Sequence, residues 1–272
     1  MRLIRAATCT LSRMSPSTST SKRSLGVRSG WREWPGWPAA RSPATRPAPP
    51  VVTSPEVTIR PASDRSLFLS FGDEISMAAH LAVLRMTQCL AGVRGILNLH
   101  PAYTSVLVDF DPRLLTHPMV ESLVRRQWAA HRDEAPPEPR VIEVPVRYGG
   151  EFGPDLGDVA RHTGLSVEGV IELHSGADYL VYFVGFSTFF PYLGGLPPQL
   201  ATPRLRAPRK HVPLGSVAIG GAQAGIYPLA SPGGWRLIGR TPLPLFDLNN
   251  EPPPLLRMGD HVRFVAIGEA DR

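Results

Sequence analysis

The sequence predicts an α+β protein: a small α+β N-terminal domain followed by a mainly β, closed barrel domain. Three observations carry this. Residues 56–131 read in the order β-β-α-β-β-α. The segment EAPPEPR (134–140) is proline-rich and charged, as interdomain linkers are. From 141 to 268 the chain breaks into short alternating runs separated by Gly, Pro and Asn, at roughly the 8–12 residue spacing of sandwiches and barrels. The expected organisation is therefore an extension over 1–52, an N-terminal domain over 53–133, a linker over 134–140 and a barrel domain over 141–268.

The first fifty residues are rich in Ser, Thr, Arg and Pro and show no hydrophobic periodicity, which predicts disorder. MRLIRAATCTLSRM is basic and acid-free, a composition shared with organellar transit peptides. The alternative, favoured by the arginine-biased, proline-rich stretch that follows, is upstream sequence translated from a misassigned start codon, with Met14 a candidate later start.

Order is expected from residue 56. VTIRPASDRSLFLSFG alternates as two strands with a turn at Ala62-Ser63-Asp64. In SMAAHLAVLRMTQCLAG, Leu81, Leu84, Met86 and Leu90 recur near helical spacing and Ala91-Gly92 marks an end. Residues 96–99 and SVLVDFDP (105–112) read as strands. HPMVESLVRRQWAAH (117–131) is amphipathic, with Val120, Leu123, Val124 and Trp128 on one face. Beyond the linker, VIEVPVRYG (141–149) is a strand, and 155–164 and 165–175 are short helices. YLVYFVGF, GSVAIGG, AGIYPL, WRLIGRT, PLFDL and HVRFVAI read as further strands.

Composition limits function. The chain has 272 residues, net charge +6, and two cysteines, Cys9 and Cys89, which give neither a zinc spacing nor a disulfide framework. A reducing, cytoplasmic location is expected, with Cys89 a small core residue. The positive charge belongs to the extension: residues 1–50 carry +8 and the remainder −2. The body thus lacks the basic stripe of a nucleic-acid binder. No run of 18 apolar residues suggests a membrane span. GxSxG, HExxH, Walker and GxGxxG signatures are absent, and no metal site is expected.

Three stretches remain as candidates for chemistry. GFSTFFPYLGGLP (185–197) concentrates aromatics and glycines. PRLRAPRKHVPLGS (203–216) sets Arg204, Arg206, Arg209, Lys210 and His211 in a proline-stiffened loop. GGAQAGIYPLASPGGWRLIGRT (220–241) carries Gln223, Tyr227, Trp235 and Arg240. They read either as solvated loops and barrel-filling aromatics, or as the wall of a pocket with guanidinium groups for an anion. Pro232-Gly233-Gly234 ahead of Trp235 poses the same choice between a core cap and a ligand wall. His174 ends a helical piece. It either caps that helix or moves a proton, for which imidazole is the side chain best suited near neutral pH.

VPVRYGGEFGPDLGDVARHTG, FPYLGGLP, VPLGSVAIGGAQAGIYPLASPGGW and LLRMGDHVRFVAI together resemble the carboxyltransferase-domain subunit family, which includes the B-type 5-oxoprolinase subunits, the first subunits of allophanate hydrolases and the Kip sensor-kinase inhibitor. The resemblance spans about residues 56–268 and is dense over 141–268. It implies a cyclophilin-like barrel. It also implies a non-autonomous member of a complex that opens 5-oxo-L-proline to L-glutamate with ATP. The partners implied are a paired carboxyltransferase-type subunit and a third 5-oxoprolinase subunit, with ATP held at a shared site or on a partner. Within it, Arg204, Arg209 and Gln223 would hold substrate, Tyr192 and Trp235 would wall the pocket, and His174 would be catalytic. The alternatives are a component of an allophanate- or urea-processing system and an inhibitor of a sensor histidine kinase. Two departures stand out. Relatives commonly read GFxPGFPYLGGL and GxQTGIYP. Here Thr188-Phe189 replaces Pro-Gly, so turn conformation or pocket volume is expected to change, and Ala224 replaces a hydroxyl-bearing residue.

Overall fold

The computed structural model describes residues 54–134, 138–185, 189–249 and 253–268. The extension over 1–52, the middle of the expected linker (135–137) and Thr188 lie outside the described residues.

The first six elements are β1 (Thr58–Ser63), β2 (Ser66–Ser70), α1 (Met77–Leu90), β3 (Ile96–Pro101), β4 (Ser105–Phe110) and α2 (His117–His131). The strands form one antiparallel sheet, ordered β1-β2-β4-β3. Strand periodicity turns Leu67, Leu69, Val106, Val108 and Phe110 to one face, and there they meet Val83, Met86 and Leu90 of α1 and Val120, Val124 and Trp128 of α2. Helix α1 starts where Ser76 Oγ accepts the Ala79 N–H at 3.2 Å. The first turn lies later than its sequence suggests. β1 continues through Ser63 with a bulge, and Ser63 Oγ donates to Ser66 Oγ at 2.9 Å. Cys89 is half-buried rather than a core residue.

The second part begins with β5 (Val141–Tyr148), α3 (Leu156–Thr163) and α4 (Val167–Ser175). It continues through β6 (Tyr179–Gly185), β7 (Phe190–Gly194), β8 (Arg209–Val212), β9 (Ser216–Gly220) and β10 (Gln223–Ile226). β11 (Ser231–Gly233), β12 (Arg236–Arg240) and β13 (His261–Ala266) complete it. Seven strands close a barrel in the order β10-β7-β6-β13-β5-β12-β9. The last strand runs parallel to the first, from His261 beside Val141 to Ala266 beside Val146. β8 and β11 form a separate two-stranded ribbon. The α+β class with a mainly β closed barrel is the one the sequence predicts.

One expected strand is absent and an unexpected one replaces it. PLFDL contributes only an isolated bridge, Phe246 with Pro254, because prolines flank it and interrupt any ladder. FPYLG, read as a candidate site segment, is barrel strand β7. Ahead of it, Phe189 has φ +62°, the one positive value at a non-glycine residue among the described residues. It takes a left-handed backbone that a glycine adopts without steric cost, and its ring lies 5.4 Å from that of Phe246. The changed turn therefore has a left-handed residue and adds an aromatic ring.

Candidate functional site

At one side of the barrel the rings of Phe190, Tyr192, Tyr227 and Trp235 form an edge-to-face cluster. Phe190 lies 5.1 Å from Tyr192, 5.1 Å from Tyr227 and 5.5 Å from Trp235, and Tyr192 lies 6.0 Å from Trp235. Glycines make room for it. A Cβ at Gly220 would stand 2.4 Å from the Trp235 ring, and one at Gly225 would stand 2.7 Å from Phe190. Gly233 is required because the Tyr227 hydroxyl passes where its Cβ would be, 2.2 Å away. The glycine pair before Trp235 thus admits a tyrosine on one side and starts β12 on the other.

The arginine loop is stitched to that turn. Arg209 is paired with Gly233 and Val212 with Ser231 in the ribbon, and Leu205 N–H donates to the Gly234 carbonyl at 2.7 Å. This places the Arg204 guanidinium over the Trp235 ring, 5.4 Å from its centroid. Trp235 itself is only 6% exposed. Its ring is part of the barrel core, and the exposed Arg204 lies over it.

Arg209 serves a different end. Its Nη2 donates to Asp155 Oδ1 at 2.7 Å, while Asp155 Oδ2 accepts the Leu237 N–H at 2.7 Å. The Arg209 charge is thereby neutralised by a buried carboxylate, and the pair ties the ribbon to the entrance of α3 and to β12. Its Nη1 is buried with no hydrogen-bond partner among the described residues.

Tyr103, in the β3–β4 turn of the first sheet, joins the cluster. Its ring lies 4.8 Å from Phe183, 5.4 Å from Tyr182 and 6.0 Å from Tyr192. Its buried hydroxyl faces the Gln223 side chain without closing a hydrogen bond of good geometry. Burial, then the neighbouring Tyr192, pushes its ionisation well above that of a free phenol, while Arg204 and Gln223 pull it back. It stays a neutral donor. Sequence reasoning passes over Tyr103, since a lone tyrosine in a strand turn carries no local signal of what it will touch. Behind Tyr182 sits His80, in edge contact at 5.0 Å, with both ring nitrogens buried and unpaired among the described residues.

The structure therefore brings together Arg204, Gln223, Tyr192 and Trp235, with Arg209 braced alongside. It sets His174 elsewhere. That imidazole is fully buried between Tyr179 and Phe264, with Nδ1 2.7 Å from the Tyr148 hydroxyl. Burial lowers its pKa to about 3, and burial followed by the charge of His261 lowers that of His80 to about 4. Both imidazoles are neutral in the folded protein at physiological pH, and His174 packs as an interior ring.

This has a measurable consequence. Between pH 6.5 and 4 the unfolded chain takes up protons on these two histidines and the folded chain does not. Stability is therefore complete above pH 6.5 and falls as pH drops, by up to about 1.4 kcal/mol per pH unit for each imidazole. Urea midpoints measured from pH 7 to 5, above the carboxylate range, should fall, and less steeply for His174→Phe. A midpoint that is flat or rises on acidification contradicts the assignment.

No group of three or more His, Cys, Asp or Glu side chains is arranged to hold a metal among the described residues. No helix among them is long and apolar enough to cross a membrane.

Comparison with known proteins agrees with this architecture. Residues 57–256 match the model of the carboxyltransferase domain, subdomain C and D. The chain is 46% identical over 203 residues to the B-type subunit of 5-oxoprolinase from Escherichia coli O157:H7, covering 74% of this chain and 92% of that protein. It is 40% identical over 227 residues to the Bacillus subtilis protein of the same name, covering 78% and 94%. The crystal structure of TTHA0988 superposes with a TM-score of 0.68 at 39% identity over 76% of this chain, which spans about two fifths (41%) of that one. The urea amidolyase of K. lactis, at 21% identity and a TM-score of 0.64 over 15% of its length, shares the fold. The chain belongs to the carboxyltransferase-domain family and matches its subdomains C and D.

Proposed function

We propose that the chain is the B-type subunit of a cytoplasmic 5-oxoprolinase complex, and that the Arg204–Trp235–Gln223–Tyr103 cluster holds the substrate. The observation that carries the site is the Arg204 guanidinium, exposed and stacked on a buried indole beside a side-chain amide and the buried Tyr103 hydroxyl that faces it. A cyclic amide with a carboxylate matches these groups. Arg204 takes the carboxylate as a charge-assisted pair. Gln223 and Tyr103 offer donors to the lactam oxygen, and Tyr192 gives the ring an apolar wall. Opening the lactam adds water across its C–N bond: hydroxyl to the carbonyl carbon, proton to the leaving nitrogen. An unstrained amide resists this, and ATP supplies the activation.

The nucleotide does not fit the glycine pairs of this chain. Gly194-Gly195, Gly220-Gly221 and Gly233-Gly234 all sit at strand ends, with no helix N-terminus behind them. ATP is therefore assigned to a shared site or to a partner, and the chain is inactive without the paired carboxyltransferase-type subunit and a third subunit. The chain's own part is to bind and orient substrate.

The test is co-expression with those subunits and an assay of glutamate release from 5-oxoproline, with and without ATP. ATP-dependent release only from the full assembly is expected. Arg204→Ala should raise KM about ten- to a hundredfold, the loss of one hydrogen bond to a charged group. Arg206→Ala, in the same loop, should not. A stable complex with no turnover points to another amide or urea-derived substrate, and no complex points to an inhibitor of a sensor kinase. An unchanged KM for Arg204→Ala removes the site.

A further inference from the structure

Opening a lactam moves a proton from the attacking water to the leaving nitrogen, and the residues of the Arg204 cluster are poor carriers of one near neutral pH. A guanidinium keeps its protons and an amide does not titrate. Burial, the largest cause at both, raises the Tyr103 and Tyr192 phenols above their ordinary value. An imidazole lies one ring behind them. Tyr182 of β6 stands 5.4 Å from Tyr103, and His80 of α1 meets Tyr182 edge-on at 5.0 Å. The seam between α1 and the barrel builds this contact. A side chain at Gly194 would overlap the Tyr182 ring, and Gly259 gives room to Leu84, one turn along α1 from His80.

His80 is 1% exposed, and neither of its ring nitrogens has a hydrogen-bond partner among the described residues. Leucine or phenylalanine would occupy this space without leaving polar atoms unpaired, so the imidazole calls for a role beyond packing. The titratable groups that bear on it are Tyr182 from β6 and His261 from β13. His261 disfavours a charge on His80, and a negative ligand at Arg204 would work the other way. His174 is placed differently: its Nδ1 is bonded to the Tyr148 hydroxyl, and it packs against Tyr179 and Phe264.

We propose that His80 is a positioning residue of the Arg204 site, which holds the transferred proton by way of Tyr182 and Tyr103. The proposal rests on the 5-oxoproline reading above. The attacking water gives its hydroxyl to the lactam carbon and its proton, through the two phenols, to neutral His80. The C–N bond breaks with its electron pair on nitrogen, which then takes the proton back from His80. Each phenol gives up one proton as it receives one, so phenols and imidazole end as they began.

The test is steady-state kinetics of the co-expressed assembly, paired with urea unfolding of the full chain at pH 7. His80→Phe keeps a ring and His80→Gln keeps a polar group, and neither carries a proton. Both should lower kcat about a hundredfold or more, with KM for 5-oxoproline changed by less than about threefold. The urea midpoint of His80→Phe should equal or exceed that of the parent, because two unpaired buried nitrogens are gone. A residue that only packs would show the opposite pattern, kcat retained with phenylalanine in place. With the parent assembly active, the proposal is overturned if either variant keeps kcat within about threefold, or if KM rises while kcat holds. A parent assembly without turnover removes the 5-oxoproline reading, and this proposal with it.

Discussion

Asp155→Ala should lower the unfolding free energy by about 3–5 kcal/mol, the usual cost of removing one partner from a buried ion pair. The Asp155 side chain is 5% exposed and both its oxygens are used, Oδ1 by Arg209 Nη2 and Oδ2 by the Leu237 N–H. Its own N–H donates to the Leu237 carbonyl at 2.9 Å, so the residue also sets where α3 meets β12. Alanine leaves a half-buried guanidinium unneutralised and an amide without its acceptor. Asparagine is no rescue, because one of its two amide positions presents a donor to a donor. Arg209→Met in the Asp155→Ala background should recover part of the loss, since the uncompensated charge is then gone. Urea unfolding at neutral pH reads all three variants. A loss below about 1 kcal/mol for Asp155→Ala would show that the pair is not held as described.

Trp235→Ala should cost a comparable amount, about 3–5 kcal/mol, because it removes the largest ring from a closed cluster. The ring packs against Phe190 and Tyr192, and the bare backbone of Gly220 lies against it. A tryptophan directly after two glycines thus caps the core, and its outer face carries Arg204. Its effect on a ligand therefore runs through Arg204. Trp235→Phe preserves a ring and should keep the fold, with a loss of about 1–3 kcal/mol, while raising KM in the assembled complex through the lost cation–π platform. A folded Trp235→Ala protein of parental stability, with altered KM alone, would return the residue to the pocket wall.

Much of the fold is legible in the sequence because burial follows local period. Helix α2 occupies 117–131 as its apolar stripe indicates, with Val120, Val124 and Trp128 inward. Five barrel strands lie within the runs picked out by alternation, and β10 overlaps a sixth. The seventh escapes this reading: β7 contains Pro191 and aromatic residues of a type that also line pockets, whereas PLFDL alternates without being able to build a ladder between its prolines. Of the site, the Arg204 loop, Gln223, Tyr192 and Trp235 are legible as chemistry concentrated in stiffened loops. His174 suggests proton transfer because of what imidazole does in water, and its interior surroundings remove that behaviour.

The sequence by itself determined the order of elements, the α+β class, the near-neutral body and the residues able to meet an anion, since each depends on composition or on spacing within about a dozen residues. Only the tertiary structure decided that Tyr103 of the first sheet joins the Arg204 cluster, that Arg209 is neutralised by Asp155 while Arg204 lies over the Trp235 ring, and that Arg147 and Arg240 stand opposed. These are relations between residues up to about a hundred positions apart. They are set by strand register and closure of the barrel, in which a shift of one residue sends every side chain to the other face.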